Sequence, residues 1–426
     1  MADHEIRELA YESGFIKREA KKIDASLFLA NMCLSAQKGS PSYNDLAARY
    51  QSVYKIAASK QAFWKKVNPN CILFFQKVLA RIIKIKISTI ALNTLKGNIS
   101  YKRVLVQDST IIKLPLQLFE VFSGVSNAHT AVCNARIQGV YDLLSGNFLS
   151  FSIDPYSKND LLAAPELDIQ AEDLVLRDRG YSSYSEITRQ VELGAYFIFR
   201  HKFKNTYVDP HNTGQPIDLK SVLIKNHKID RTVCLNDKNR TPVRLIAIPV
   251  KEEIATTRRM KAKQEMKGHN PPAELMFLMG WTIFITNIPQ TQASAQKILS
   301  LYGLRWRIET IFKTCKYYMG FDKIHNVSES QLRCILLARF IMIVICISFI
   351  YQPYYYLSLK KHKKYLSMMK LINYLILNTE MLSKALIALF TPYQQKEILN
   401  IFTKYCTYDG RKRLNYCQFF EEIILS

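Results

Sequence analysis

The sequence predicts a mixed α/β sheet with helices packed on it, broken by a β-rich insertion and flanked by helical regions at both ends. Three observations predict this. Two short apolar runs, Val104–Asp108 and Asp173–Asp178, each end in a carboxylate and read as buried strands, with a hairpin pattern between them. A third buried strand, Gly280–Asn287, leads into Tyr302–Lys316, which reads as one amphipathic helix. The two ends of the chain carry long apolar runs with few turn signals.

Size and composition bound the rest. The 426 residues allow two to four domains, and a hydrophobic share of 48% excludes a disordered chain. The formal charge is +24, from 59 Lys+Arg against 35 Asp+Glu. That excess points to a polyanionic partner, nucleic acid before an anionic membrane surface, although a merely basic exterior carries the same sign. The nine cysteines form no Cys-x-x-Cys pair and read as reduced core thiols of a cytoplasmic protein. The eight histidines show no ligand spacing, which predicts no zinc site. Met1–Glu5 is polar and acidic, which predicts no signal peptide. The apolar run Cys334–Tyr351 is interrupted by Arg339. What remains is shorter than the ~20 residues a membrane span needs, so a buried helix is expected.

Residues 1–95 read as helical, with apolar runs at Ser26–Ser35 and Cys71–Ile90, and Ser42 placed to cap a helix. Lys and Arg recur through them, including Lys21, Lys22, Lys65, Lys66, Arg81, Lys84 and Lys86. They suit either a small DNA-recognition domain or a helical scaffold with a basic exterior. From residue 100 the period shortens. Val104–Asp108 ends in a carboxylate, Ser109–Thr110 follow, and Lys113–Pro115 closes the stretch; Ala135–Leu143 and Asn147–Ile153 form a hairpin across Ser145–Gly146. Asn159–Asp160 opens a short helix, and Asp178 closes the next strand. Ser182–Leu193 is a helix stopped by Gly194, and Ala195–Arg200 is a further strand. Residues 201–277 carry short strands, turns and a basic helix at Thr257–Lys263 ended by Gly268–Pro272, and read as an insertion. After residue 330 the chain is helical again. The basic run Lys360–Lys364 either touches DNA backbone or is a solvated loop.

On the helix at 302–316, a spacing of about 100° per residue places Tyr302, Arg305, Glu309 and Lys316 within an arc of roughly 60°. Leu301, Leu304, Ile308, Ile311 and Phe312 fill the neighbouring apolar arc. The polar face suits metal and phosphate oxygens; a solvated face with an incidental Arg305–Glu309 pair fits it too. Asp108, Asp178 and Glu309 together are the residue types a two-metal phosphoryl-transfer site needs. Hard carboxylate oxygens hold two ions about 3.5–4 Å apart and leave positions open for phosphate and water.

At these residues the sequence resembles the DDE transposases of bacterial insertion sequences, in the insertion sequence 4 type group with its Tyr-x2-Arg-x3-Glu-x6-Lys signature. Tyr302, Arg305, Glu309 and Lys316 match that spacing throughout. Leu176–Tyr181 is similar to the second-Asp motif and Val106–Thr110 to the first. The resemblance spans about 100–325, and the helical ends carry no matching motif. It implies a ribonuclease H-like core interrupted by the insertion. The expected division is 1–95 for DNA-end recognition, 96–200 and 278–330 for the catalytic core, 201–277 for the β-rich insertion, and 331–426 as a candidate for dimerisation. It implies that Asp108, Asp178 and Glu309 are catalytic and ligate two Mg²⁺, with Mn²⁺ able to replace them. Tyr302, Arg305 and Lys316 would grip phosphates of double-stranded DNA. Trp281 is either a base-stacking residue or a core residue of its strand. Gln107 and Arg177, next to the two Asp, are either surface residues or supports for them. The expected function is cut-and-paste transposition by a homodimer joining inverted-repeat ends, with no membrane. An inactive DNA-binding relic or regulator, or a nuclease without strand transfer, are the alternatives.

Overall fold

The computed structural model describes all residues except 19–21, 86–99, 125–130, 165–166, 267–268, 411–413 and 426. The expectations for Lys21, Lys86, the run beyond Ile85, the boundary at 95/96 and the Gly268 stop fall outside the described residues.

Ten described strands form one sheet in the order β3-β2-β1-β4-β5-β10-β9-β8-β6-β7. They are β1 (Val104–Lys113), β2 (Asn134–Asp142), β3 (Asn147–Pro155), β4 (Leu174–Arg177), β5 (Tyr196–Arg200), β6 (Tyr207–Asp209), β7 (Asn212–Pro216), β8 (Ile229–Leu235), β9 (Pro242–Pro249) and β10 (Trp281–Thr286). β1 runs antiparallel to β2 and parallel to β4, β2 antiparallel to β3, and β4 parallel to β5. This is the ribonuclease H-like arrangement. β10 then pairs antiparallel with β5 on one side and with β9 on the other. The strands of 201–277 therefore lengthen the core sheet through β10 instead of forming a sheet of their own.

Period-two alternation sorts the side chains to two faces. Ile198 of β5 and Phe284 of β10 enter the main core, whereas Phe197, Phe199, Ile283 and Ile285 enter a second core on the other face. Short helices fill the connections, with α6 spanning Asp160–Ala163 and α7 Tyr184–Glu192. Ser183 caps α7, its hydroxyl accepting from Glu186 N–H, and Gly194 stops the segment in the left-handed region at φ 68°. In the added part, α8 (Leu219–Lys225), α9 (Glu252–Glu265) and α10 (Ala273–Leu278) accompany the strands.

The N-terminal helices are α1 (Asp3–Glu12), α2 (Ala25–Ser35), α3 (Tyr43–Tyr54), α4 (Lys60–Lys66) and α5 (Pro69–Lys84). Ser42 caps α3, as its position in the sequence predicts. These helices share the main core with a long helix near the other end of the chain. That helix runs from Glu329 to His362, as α13 (Glu329–Val344), a π-helical stretch (Ile345–Tyr351) and α14 (Gln352–His362). Its length, and a mean hydropathy of 2.6 in its most apolar window, would suffice to cross a membrane, but 89% of that window is buried inside the protein. Arg339 interrupts the apolar run but not the helix, which is buried as expected and extends well beyond the run. Its guanidinium donates to the carbonyls of Ala36 (2.9 Å), Gly39 (2.8 Å), Phe321 (3.1 Å) and Lys323 (3.3 Å). Four main-chain acceptors stand in for water, so the charge enters the core without breaking the helix. All nine cysteines are buried free thiols. Lys360–Lys364 is exposed, with Lys360–His362 closing the last turn of α14 and Lys363 in the left-handed region at φ 54°.

Candidate active site

Two features of the sheet bring the first two acids together. The β1–β4 ladder pairs Val104 with Leu174 and runs in register to Gln107 with Arg177. Asp108 and Asp178 are the next residues on each strand, so they leave the ladder at the same level on neighbouring strands. β1 does not end at Asp108 as its composition predicts. Ser109–Lys113 continue against β2, with Asp108 opposite Gly139. The β-branched Thr110, Ile111 and Ile112 favour extension, and β2 supplies the hydrogen-bonding partner that β4 has ceased to provide. At Asp178 the chain does turn, into a 3₁₀ turn over Arg179–Tyr181.

The third acid arrives from the far side of the sequence. The predicted single helix is two: α11 (Ala295–Gly303) and α12 (Trp306–Tyr318). Between them Leu304 N–H bonds Leu301 O and Arg305 N–H bonds Tyr302 O, a tighter three-residue turn. Gly303 weakens the helix there, and the Phe419 ring packs against its bare Cα. Tyr302 thus closes α11 and Arg305 precedes α12, while Glu309 and Lys316 lie on α12. The apolar stripe is as expected: Leu301, Leu304, Ile308, Ile311 and Phe312 are buried in the main core. Gly139 allows the approach. A Cβ there would stand 3.1 Å from the Phe312 ring, so a bare strand position opposite Asp108 admits the helix that carries Glu309.

Arg305 ties the site together. It is almost fully buried, with Nη1 3.0 Å from Asp108 Oδ2 and Nη2 2.6 Å from Glu309 Oε1. Tyr302 donates a long hydrogen bond, 3.5 Å, to Asp178 Oδ1. Burial pushes the Asp108 carboxyl up to about 6; Arg305 opposes the rise, and Glu309 and Asp178 add to it. Burial likewise pushes the Tyr302 hydroxyl up to about 12. Lys316 is not part of this cluster's hydrogen bonding. Its ammonium donates to Ile111 O at 2.7 Å, and burial lowers its pKa below the usual range.

Support lies beneath and beside the acids. Gln107 and Arg177 are buried: Gln107 donates to Gln138, and Arg177 pairs with Glu186 at 2.7 Å. Ser109 donates to Asp160 at 2.7 Å, and Arg136 pairs with the same carboxylate. Trp281 opens β10 half-buried, in the wall of a cavity of about 320 Å³ that it shares with Asp178, Arg179, Arg200 and Arg258. Sequence reasoning did not join Arg200 and Arg258 to Asp178, because they come from β5 and α9, far apart in the chain, and meet only around this cavity. It also missed Trp306, 53% exposed beside Arg305. A large aromatic ring on the polar side of an amphipathic pattern is the signal that could have found it.

Three carboxylates, hard oxygen donors all, suit a divalent cation better than a soft metal. Among the described residues no three His, Cys, Asp or Glu side chains stand as a ready-made metal cage. A guanidinium already bridges two of the acids, so the place calls for positive charge and the donor set fits one.

The fold defines a class, the ribonuclease H-like α/β proteins, and the site sets Asp108 and Glu309 on either side of a buried arginine. The family model described as "Transposase DDE domain" matches residues 100–345, more than half of the chain, and the chain belongs to this family of DNA transposases. It is 27% identical to the transposase for insertion sequence element IS231E of Bacillus thuringiensis subsp. finitimus, covering 90% of this chain and 87% of that one. With the transposase for IS1151 of Clostridium perfringens it shares 24% identity over 80% of this chain and 77% of the other. A solved piggyBac transposase synaptic complex with hairpin DNA aligns with 97% of this chain and 84% of its own, at 12% identity and a TM-score of 0.43.

Proposed function

We propose that this transposase moves its insertion sequence by cut-and-paste chemistry, with Asp108, Asp178 and Glu309 as the catalytic acids. The observation that carries the reading is the common level of Asp108 and Asp178 on adjacent parallel strands, with Glu309 joined to Asp108 through Arg305. In the first step water attacks the phosphorus at the element's end. The P–O3′ bond breaks and the 3′ oxygen takes the proton, leaving a 3′-OH and a 5′-phosphate. That hydroxyl attacks phosphorus in the opposite strand, displacing its 3′ oxygen and closing a hairpin; a second water attacks the hairpin phosphorus and returns the 3′-OH, which then attacks phosphorus in target DNA and displaces a 3′ oxygen there.

The three acids would hold two Mg²⁺, or Mn²⁺ in their place, which supply activation of the attacking oxygen and charge stabilisation at the leaving one. Tyr302 stays protonated at neutral pH and donates to a phosphate oxygen. Arg305 contributes a permanent cation, and Lys316 a second one further along α12. Trp281 stacks on an unpaired base in its basic cavity. Residues 1–95 read the inverted-repeat ends, and a homodimer, with residues 331–426 as its contact, holds two ends together.

The test is cleavage of an end-bearing duplex in Mg²⁺ by Asp108→Ala, Asp178→Ala and Glu309→Ala, each with wild-type circular dichroism. Near wild-type cutting by any one of them defeats the assignment. A strand-transfer assay with pre-cut ends separates a transposase from a plain nuclease, which would join nothing to target.

A further inference from the structure

Arg305 is in an unusual position for a residue whose proposed partner is DNA. Its two terminal nitrogens are both engaged by acids, Asp108 at 3.0 Å and Glu309 at 2.6 Å. Its Nε–H is buried with no acceptor. The guanidinium thus compensates the acids while leaving one of its own donors unmet, an arrangement that buried polar groups normally avoid. Its carbon stands 5.6 Å from the Tyr302 ring and 5.9 Å from the Trp306 ring. Trp306 is 53% exposed, so aromatic surface continues from the acids towards solvent. The residue also sits in the tight turn ahead of α12, outside either helix.

We propose that Arg305 has two positions: counter-ion to Asp108 and Glu309 in the DNA-free chain, and phosphate ligand once DNA is bound. This rests on the acid-site reading above. The guanidinium occupies carboxylate oxygens that a divalent cation needs, and it sets a like charge beside any cation that enters. A backbone phosphate offers it two acceptors in bidentate geometry, which release the carboxylates. DNA binding and metal loading are then coupled, and the coupling is reciprocal: whatever factor DNA adds to metal affinity, metal adds to DNA affinity. The consequence is a transposase that stays poorly loaded until a DNA strand is in place, which restrains stray cutting.

The test uses the full-length protein and Mn²⁺ as the probe, with free Mn²⁺ followed by electron paramagnetic resonance. Without DNA, Arg305→Gln is expected to bind Mn²⁺ about tenfold more tightly than wild type, the order of one unit charge removed beside a partly buried cation. A short duplex raises the Mn²⁺ affinity of wild type and leaves Arg305→Gln unchanged, after subtraction of the duplex's own Mn²⁺ binding. Equal or weaker Mn²⁺ binding by Arg305→Gln overturns the proposal. If that variant does not fold, Arg305→Lys takes its place: its single ammonium cannot span both acids, so its affinity is expected to lie above wild type, and an unchanged value overturns the proposal. Asp108→Asn added to Arg305→Gln separates the two readings. Mn²⁺ binding that survives it means the ions do not bind at the acids, and the acid-site reading fails. Binding lost with Asp108, but no tighter in Arg305→Gln than in wild type, refutes the counter-ion role alone.

Discussion

Asp108→Asn is expected to abolish DNA cleavage and, at neutral pH, to make the DNA-free protein more stable. The carboxyl is raised from its usual 3.8 to about 6, with burial as the largest cause and Arg305 only partly offsetting it. A raised carboxyl means that the folded chain holds more protons than the unfolded one between those two values. Stability therefore falls as pH rises through that window, and the penalty is fully present above it. A rise of about 2 pH units corresponds to about 3 kcal/mol, an upper figure because the side chain retains some solvent contact. Asn keeps the shape and removes the charge, so about 1–3 kcal/mol should be recovered at pH 7.5. For a chain of this length the unfolding entropy makes that a rise in Tm of about 1–3 °C. Thermal denaturation of wild type and variant in chelator, at pH 7.5 and pH 4, measures it. The gap should shrink to a fraction at pH 4, where the folded wild-type carboxyl is protonated. A variant less stable than wild type at pH 7.5, or a gap that does not change with pH, refutes the reasoning. Adding Mn²⁺ should narrow the gap at pH 7.5, because only wild type gains a cation at that carboxylate.

Other positions give equally definite outcomes. Glu309→Gln should leave the circular dichroism spectrum intact and reduce end cleavage at least 10³-fold, since shape remains and the ligand charge is gone; a smaller loss in a single-turnover assay removes Glu309 from the acid set. Arg339→Met should cost about 3–5 kcal/mol, because four buried carbonyls lose their donor at the junction of the N-terminal helices and α13; urea denaturation reads it, and a change below 1 kcal/mol contradicts the structure. Trp281→Ala should weaken binding of a duplex with an unpaired terminal base by about 1–3 kcal/mol and leave fully paired duplex unaffected; equal losses on both would mean that the ring is merely structural. Lys316→Met should lower the slope of log affinity for DNA against log salt by about 1 if the ammonium leaves Ile111 O for a phosphate, and should not change it if that hydrogen bond persists.

Particular residues show how far the sequence could be read. Val104–Asp108 and Asp173–Asp178 were legible as strands leading to acids because short continuous runs of aliphatic and β-branched residues read as strands buried on both faces. The hairpin around Gly146 was legible because a turn glycine divides two alternating runs, and it adopts φ 68°. The helix break at Leu304–Arg305 was not, since Leu and Arg are good helix formers and only Gly303 against the Phe419 ring marks the bend. The extension of β1 past Asp108 was hidden for a related reason: whether Ser109–Lys113 are strand depends on β2 lying alongside. Arg339 read as an interruption of the apolar run because the carbonyls that satisfy it come from two segments remote from each other in the chain, Ala36 and Gly39 in one and Phe321 and Lys323 in the other.

What the sequence determined by itself is chemistry and periodicity: three acids, a Tyr-Arg-Glu-Lys spacing, an apolar stripe, a large positive charge, and the alternation that makes strands. Those are properties of neighbours along the chain, where spacing of a few residues decides which side chains share a face. Tertiary structure alone decided which acids meet and what stands between them. Asp108 and Asp178 share a level because β1 and β4 pair in one register; Glu309 is linked to Asp108 through Arg305, on a helix whose Phe312 packs at Gly139. Arg305 lies between two acids, Lys316 rests on Ile111 O, and the strands of 201–277 join the core sheet through β10. Each of these is a contact between segments far apart in sequence, set by packing and by where backbone hydrogen bonds find partners, and no local pattern encodes them.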